Sequence, residues 1–531
     1  LRPGPSGRPV SAIRLSPVRL VLALVSGLAA AAAFPPWGVG WLAFVALVPL
    51  LAAVRDAAPG QAVAAGFLQG LAFYLAAIWW VITSMTLYGK MALPLALVAL
   101  LLLSAVLAGY HAAFAWLVWH ARARFGCPAW LMPAAAAGFW TALEMLRTLL
   151  FSGFPWLLYG TSQYRQPTIR LLASLAGVYG VSALLVFVNA AVAEAVCAVR
   201  REPTASGRGW AAAVSLTPAA LVLAGAVGYG ALVWRDAALG PPLRVGLLQG
   251  NIDQSAKWEP GNQAATLDVY EALVREVAAA RPALIVWPET AVPFFLRVDA
   301  AHGARVARIV AETGIPMLIG SPDVGSDRRL YNTAFLIDPS GLIRGRYDKR
   351  HLVPFGEYVP LQSLFFFLDK LVVGIGDFGR GSEAALLPLQ EARFGAMICY
   401  EVIFPGEVRE FVRRGAQFLV NITNDAWFGE SAAPVQHLAM AAMRAVENGS
   451  YLIRAANTGV TAVIAPSGEI RGATRLFTRA AVVDTIRLRD GETPYTRYGD
   501  VLPVGAVLGL GGYLVAAIQA ARRRRTGKET A

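Results

Sequence analysis

Cysteine and histidine are scarce in this chain, three and five residues in 531. Three cysteines cannot build a disulfide framework over such a length. Two of them, Cys127 and Cys197, fall at the ends of apolar runs, where a small soft hydrophobe fits. His111, His120, His302, His351 and His437 share no ligand spacing, and neither HExxH nor CxxC occurs, so no catalytic metal and no cofactor are expected. Charge is thin as well, at 15% of residues, where a soluble domain has about 25%. Acidic residues are the scarcer sign, 34 against 47 Lys and Arg, for a formal net charge of +13. Internal repeats are missing, as are low-complexity segments beyond Ala-rich helices.

What is plentiful is apolar. A hydrophobic content of 56% and a mean hydropathy of +0.52 exclude an ordinary soluble chain. Stretches of roughly the 17 to 25 residues that a bilayer core requires run over 18–34, 39–54, 64–85, 92–119, 129–150, 171–199, 211–234 and 501–521. That pattern predicts eight transmembrane helices, seven before a long polar region and one after it. The first stretch follows Arg2, Arg8, Arg14 and Arg19 and ends Ala-rich, so a cleavable signal peptide is its alternative reading. Removing it would upset the orientation that Lys and Arg set. With an inside start, Arg55, Arg122, Arg124, Arg200, Arg201, Arg208 and the tail from Arg522 to Arg525 all fall on the inner side. The polar region then lies outside. The excess positive charge is scattered through inner loops and the tail rather than gathered on one folded surface, so no nucleic-acid partner is implied.

Within residues 241–497 the texture changes to short β-rich runs alternating with helical patterns. Strands are expected at 244–249, 283–287, 316–320, 332–337, 394–399, 418–422, 451–455 and 461–465, and helices at 264–280, 304–313, 406–414 and 434–448. Such alternation predicts a layered α/β domain with its functional residues at strand ends. The organisation read from the sequence is thus a membrane domain over 1–240, the α/β domain over 241–497, and a last helix with a basic tail over 498–531. Residues 361–375 (LQSLFFFLDKLVVGI) are strongly apolar but interrupted by Asp369 and Lys370, which suits an amphipathic arm lying on the membrane over the site. Within it Phe365, Phe366 and Phe367 are expected to contact lipid or an acyl chain. Glu144 and Arg147, three apart on one expected span, suit a helix-face ion pair; a functional role is the alternative for charges at that depth.

Cys399 ends the apolar run Phe394-Gly-Ala-Met-Ile-Cys-Tyr-Glu401, alone in a domain read as extracytoplasmic. An unpaired thiol in an oxidising compartment is a liability, which favours a chemical use. Taken singly, Cys399 reads as a buried structural residue, Glu289 as a strand-end carboxylate satisfied by backbone, and Lys349 as a solvated charge. Their order in Pro-rich surroundings changes that balance: Trp287-Pro-Glu289, then Asp348-Lys-Arg-His-Leu-Val-Pro-Phe-Gly-Glu-Tyr-Val-Pro360, then Ile398-Cys-Tyr-Glu401. One thiol, one carboxylate and one lysine at strand ends are the parts of an acyl-transfer site.

These motifs resemble those of the carbon–nitrogen hydrolase (nitrilase) superfamily, whose fold is an αββα sandwich. The membrane arrangement is similar to its membrane-embedded branch, the bacterial apolipoprotein N-acyltransferases. Phe154-Pro-Trp156, Gly160-Thr-Ser-Gln163, Gln249-Gly-Asn-Ile252, Lys257-Trp258, Tyr331-Asn-Thr333 and Thr493-Pro-Tyr495 extend the resemblance over nearly the whole chain. It implies Cys399 as nucleophile, Glu289 as base, and Lys349 with the N–H after Cys399 as oxyanion donors. Glu357 is implied as the carboxylate that orients Lys349, with Glu401 and Tyr400 supporting and Trp258 and Asn332 lining the site. The implied reaction moves a fatty acyl chain from a membrane phospholipid to the N-terminal amine of a diacylglyceryl apolipoprotein. Its implied place is the bacterial inner membrane, with the α/β domain periplasmic. The rival reading is a membrane-tethered amidase or nitrilase, against which the apolar spans and arm speak, since a soluble substrate needs neither.

Overall fold

The computed structural model describes residues 15–233, 239–259, 261–358 and 378–525. Among the described residues, five helices are long and apolar enough to cross a membrane: Pro59–Ala77, Leu93–Ala123, Ala173–Arg201, Ala205–Leu232 and Val501–Arg523. The first and fifth expected spans form the shorter helices Pro17–Ala32 and Met132–Leu149. The second expected span is not one continuous helix. It is split into a 3-10 turn at Gly40–Phe44 and an eight-residue helix, Val48–Arg55. Pro49 lacks an N–H, which suits the first turn of a new helix and not the middle of an old one. Eight residues rise about 12 Å, well short of the roughly 30 Å of a bilayer core.

Between the last two long helices lies a two-sheet domain. One sheet has the order β12-β1-β2-β3-β4-β5 and the other β11-β10-β9-β8-β7-β6. The first comprises β1 (Leu239–Gln249), β2 (Leu284–Val286), β3 (Met317–Val324), β4 (Leu330–Ile337), β5 (Ile343–Asp348) and β12 (Ala480–Arg489). The second comprises β6 (Leu386–Leu389), β7 (Ala392–Ile398), β8 (Phe418–Thr423), β9 (Leu452–Ala456), β10 (Ala462–Ile464) and β11 (Ile470–Arg471). Side chains alternate along a strand, and β2 shows what that does here. Leu284 and Val286 enter the core shared with Phe394, Ala396 and Ile398 of the other sheet, whereas Ile285 and Trp287 enter a second core with Leu267, Tyr270 and Val306 of the covering helices. A strand buried on both faces must be continuously apolar, and each such side chain contributes about 1.5–3 kcal/mol on burial.

The helices Asn262–Ala278 and Ala300–Thr313 cover the first sheet, and Pro405–Arg413 with Ala433–Asn448 cover the second. Ala433–Asn448 is buried on nearly every face. That follows from its position, since it fills the space between the second sheet and the membrane helices, with Glu447 accepting a hydrogen bond from the N–H of Val178 at 2.8 Å.

Candidate active site

The strand β2 ends in Trp287-Pro-Glu289, and the chain turns there against Gly320 of β3. A Cβ on Gly320 would lie 2.4 Å from the Pro288 carbonyl and 2.8 Å from the Glu289 Cα, so only glycine admits this approach. Glu289 is thereby held inside the domain. Its Oε1 accepts a hydrogen bond from Asn332 Nδ2 at 2.7 Å, and its Oε2 one from the N–H of Asn424 at 2.8 Å. Lys349, the residue after β5, is 1% exposed. Its Nζ donates to Glu357 Oε1 at 2.9 Å and lies 3.6 Å from Glu289 Oε1. Asn332 on β4 joins the two carboxylates, donating also to Glu357 Oε1 at 3.2 Å. Burial disfavours the charged form of each group. For Glu289 it raises the pKa, Lys349 opposes it, and Glu357 adds to the rise. For Lys349 burial lowers the pKa, but Glu357 and Glu289 outweigh it, and the ammonium is held well above its ordinary value.

Cys399 comes from the other sheet. The strand β7 stops at Ile398, and Cys399 takes φ 54° as it opens the 3-10 turn Cys399–Ile403. A side chain in the left-handed region costs energy and persists only where its surroundings hold it. They do so here by gripping both flanks. Glu401 accepts from the Tyr347 hydroxyl at 2.8 Å and from the N–H groups of Arg350 at 2.6 Å, His351 at 3.1 Å and Ile398 at 2.7 Å, joining the segment that bears Lys349 to the strand that bears Cys399. The Cys399 carbonyl accepts from His437 Nε2 at 3.2 Å and Asn421 Nδ2 at 3.4 Å. Burial pushes the thiol far above its ordinary value, Glu289 raises it further and Lys349 pulls it back. A thiol kept in its protonated form by burial thus lies within the fields of Glu289 and Lys349. Such a set is able to move one proton and to meet one negative charge.

Residues 244–492 match the carbon-nitrogen hydrolase family model, and residues 26–191 match the apolipoprotein N-acyltransferase N-terminal domain model. The apolipoprotein N-acyltransferase of Geobacter metallireducens is 40% identical over 92% of this chain and 93% of its own length. That of Methylococcus capsulatus is 38% identical over 95% of this chain and 96% of its own. The chain belongs to the apolipoprotein N-acyltransferase family. Among solved structures, an amidase from Nesterenkonia sp. covers 49% of this chain and 95% of its own length at 21% identity and a TM-score of 0.36, a likeness that says nothing of this chain's substrate.

Of the positions that the N-acyltransferase motifs singled out, Glu289, Lys349, Glu357 and Asn332 share one hydrogen-bonded cluster, and the Cys399 thiol lies within the fields of the first two. Asn332, expected to line the site, bridges its carboxylates. Glu401 clamps backbone, and burial pushes it up to about 7. Tyr400 reaches the membrane domain, its hydroxyl donating to the Gly153 carbonyl at 3.4 Å. Trp258 is half-buried. Phe365, Phe366 and Phe367 lie outside the described residues. Glu144 and Arg147 spend their hydrogen bonds on backbone rather than on each other. Glu144 accepts from the Tyr159 N–H at 2.6 Å, and Arg147 donates to the carbonyls of Phe154 at 3.2 Å and Trp156 at 2.7 Å, because the irregular backbone between the Met132–Leu149 helix and residue 160 leaves groups that need partners.

Two features escaped the sequence reading, and a third, Lys257, was read only as part of a motif. Asn424 acts through its backbone N–H, for which no side-chain signal exists. Lys257 is 1% exposed and donates to Thr290 Oγ1 at 2.9 Å, one residue from Glu289; burial brings it down to about 7, against the pull of Glu289. Asp425, Arg454 and His437 form a buried polar group behind Cys399. A charged Arg454 inside the apolar run of β9 was the available signal.

Proposed function

We propose that this protein transfers a fatty acyl chain from a membrane phospholipid to the α-amino group of the N-terminal, S-diacylglyceryl cysteine of an apolipoprotein. The observation that carries this reading is the buried Glu289, Lys349 and Glu357 cluster beside a left-handed Cys399, in a chain of this family with long apolar helices on both sides of the domain. Glu289 takes the Sγ proton, and the thiolate attacks the ester carbonyl of the donor. The oxyanion is met by Lys349 Nζ and by the N–H of Tyr400. Its collapse expels the lysophospholipid oxygen, which leaves with the proton that Glu289 held. The acceptor amine then attacks the thioester, Glu289 takes its proton, and the thiolate leaves and is reprotonated. Each half-reaction balances, so the cycle is ping-pong.

The proposed topology has eight membrane crossings, the second made by broken helix, with the catalytic domain over 241–497 periplasmic and Arg522 to Arg525 cytoplasmic. The basic residues of the inner loops support it. Phe365, Phe366 and Phe367 are assigned to the acyl chain on composition alone. The test of the chemistry supplies wild-type protein with phospholipid vesicles and no acceptor. A hydroxylamine-sensitive acyl adduct on Cys399 and stoichiometric lysophospholipid are expected, and a peptide with a free N-terminal S-diacylglyceryl cysteine should discharge the adduct. Lysophospholipid released with no adduct on Cys399 would overturn the covalent route. For the topology, a reporter active only in the cytoplasm and fused after Thr496 should be silent.

A further inference from the structure

The peptide group between Cys399 and Tyr400 has two ends. Its N–H opens the 3-10 turn Cys399–Ile403, and the first N–H groups of a helical turn have no partner inside it. Its carbonyl points the other way, into the polar group behind the site, where His437 Nε2 and Asn421 Nδ2 lie 3.2 Å and 3.4 Å away. A carbonyl only accepts, so Nε2 bears the proton. His437 Nδ1 faces Arg454 Nη2 and Asp425 Oδ1, each at 3.0 Å. It accepts from the guanidinium when the ring is neutral and donates to the carboxylate when it is charged; Nε2 keeps its proton in both cases. Burial and the Arg454 charge hold His437 below its ordinary value. Asp425 is kept ionised: burial raises it, but Arg454 and His437 outweigh that and bring it down to about 2. The group is fully buried.

The residue before His437 reaches into the membrane domain. Gln436 is 1% exposed. Its Nε2 donates to the carbonyls of Pro35 and Ala77, each at 2.9 Å, and its Oε1 accepts from the indoles of Trp156 at 2.8 Å and Trp80 at 3.1 Å. All its hydrogen-bonding capacity is spent on elements of the first 160 residues. The Trp156 ring also lies 5.6 Å from that of His437. One helical turn therefore bonds the membrane helices through one residue and the nucleophile's carbonyl through the next.

We propose that His437 is a positioning residue for the oxyanion site: by donating to the Cys399 carbonyl it aims and polarises the Tyr400 N–H at the other end of the same peptide, and Gln436 fixes that turn to the membrane domain. Hydrogen bonds in series strengthen one another, and a donor aimed in advance is worth most in a dry site. This inference rests on the proposed acyl-enzyme chemistry but not on the identity of the acyl donor.

The experiment exploits a difference between two reactions of one thiol. Acylation by a p-nitrophenyl ester passes through an oxyanion; alkylation by iodoacetamide displaces iodide at carbon and forms none. In full-length protein in detergent, His437→Leu should slow ester acylation about tenfold or more, given that losing an oxyanion donor outright costs about 10²–10³, while alkylation of Cys399 stays within about twofold of wild type. His437→Gln, whose amide reaches the place of Nε2, should restore acylation. His437→Asn, whose amide reaches only the place of Nδ1, should not, and it carries the test if the Leu variant fails to accumulate. Acylation and alkylation falling in step, or acylation left at the wild-type rate, overturns the proposal. Lysophospholipid release is scored separately: wild-type protein that is acylated by the ester but not by phospholipid refutes the proposed donor and leaves the His437 result standing.

Discussion

The two sheets of the α/β domain bring different things to the site. The first supplies charge, with Glu289 after β2, Asn332 on β4 and Lys349 after β5, and each of these groups is buried against another. The second supplies a backbone: Cys399 stands in a left-handed conformation after β7, its carbonyl held by His437 and Asn421 and its flanks by Glu401. Burying an ion is costly unless it is paired, so the first sheet's groups stabilise one another and lose stability together. A strained backbone is held by its neighbours instead, so the second sheet's contribution depends on hydrogen bonds that never touch the thiol. The site works as a meeting of a charge cluster with a shaped peptide.

Removing the sulfur should have the largest effect. Cys399→Ala is expected to abolish the acyl adduct entirely while leaving the charge cluster of the first sheet intact, which intact-protein mass spectrometry after incubation with phospholipid reads directly; an adduct on another residue would show that the second sheet does not carry the nucleophile. Lys349→Ala comes next. It removes one proposed oxyanion donor, worth about 10²–10³ in rate or roughly 2.7–4 kcal/mol, and leaves Glu289 and Glu357 buried without their shared cation. Burst-phase acylation should therefore fall at least that far, and midpoints of thermal unfolding should drop as well. A loss of rate with unchanged stability would mean that the carboxylates do not depend on Lys349.

A subtler change tests the coupling inside the cluster. As the proposed base, Glu289 would have to be ionised to take the thiol proton, and its pKa is raised by burial and by Glu357 against the pull of Lys349. Acylation should thus decline as pH falls, through a limb lying above the ordinary carboxylate range. Glu357→Gln removes a negative neighbour, so the limb should move to lower pH, whatever happens to the plateau. A pH–rate profile with an unmoved limb would confine Glu357 to positioning Lys349. The smallest effect is expected on the second sheet's side. Glu401→Gln keeps an acceptor but turns an amide toward N–H groups, which should cost about 1–3 kcal/mol of stability in denaturant titrations, with alkylation of Cys399 by iodoacetamide changed little.

Glu289 and Cys399 were legible because each ends a short apolar run, where a polar or reactive side chain is conspicuous; Lys349 follows the polar stretch Arg344-Gly-Arg-Tyr-Asp348 and was legible only through its place in the ordered motifs. The strands at sheet edges were not. Of β12 only Ile486 is buried, so its sequence shows no clean alternation, and β6 and β11 are short edge or near-edge pieces. His437 was read only for metal-ligand spacing, and its bond to the Cys399 carbonyl is a contact across 38 residues. The break in the second expected span was masked because hydropathy averages over a window and does not register where a proline starts a new helix.

Sequence alone determined the division into apolar and polar regions, the α/β alternation, the family and the chemical types at the strand ends. All of these are properties of composition, period or short-range order, and they persist in an unfolded chain. Tertiary structure decided which carboxylate faces which cation, that Cys399 takes a left-handed backbone, that Glu401 is a clamp, and that one turn of the Ala433–Asn448 helix joins the first 160 residues to the Cys399 peptide. Those outcomes depend on distances between residues far apart in the chain and on burial, which sets how strongly each charge is felt. Neither quantity exists until the two sheets close on each other.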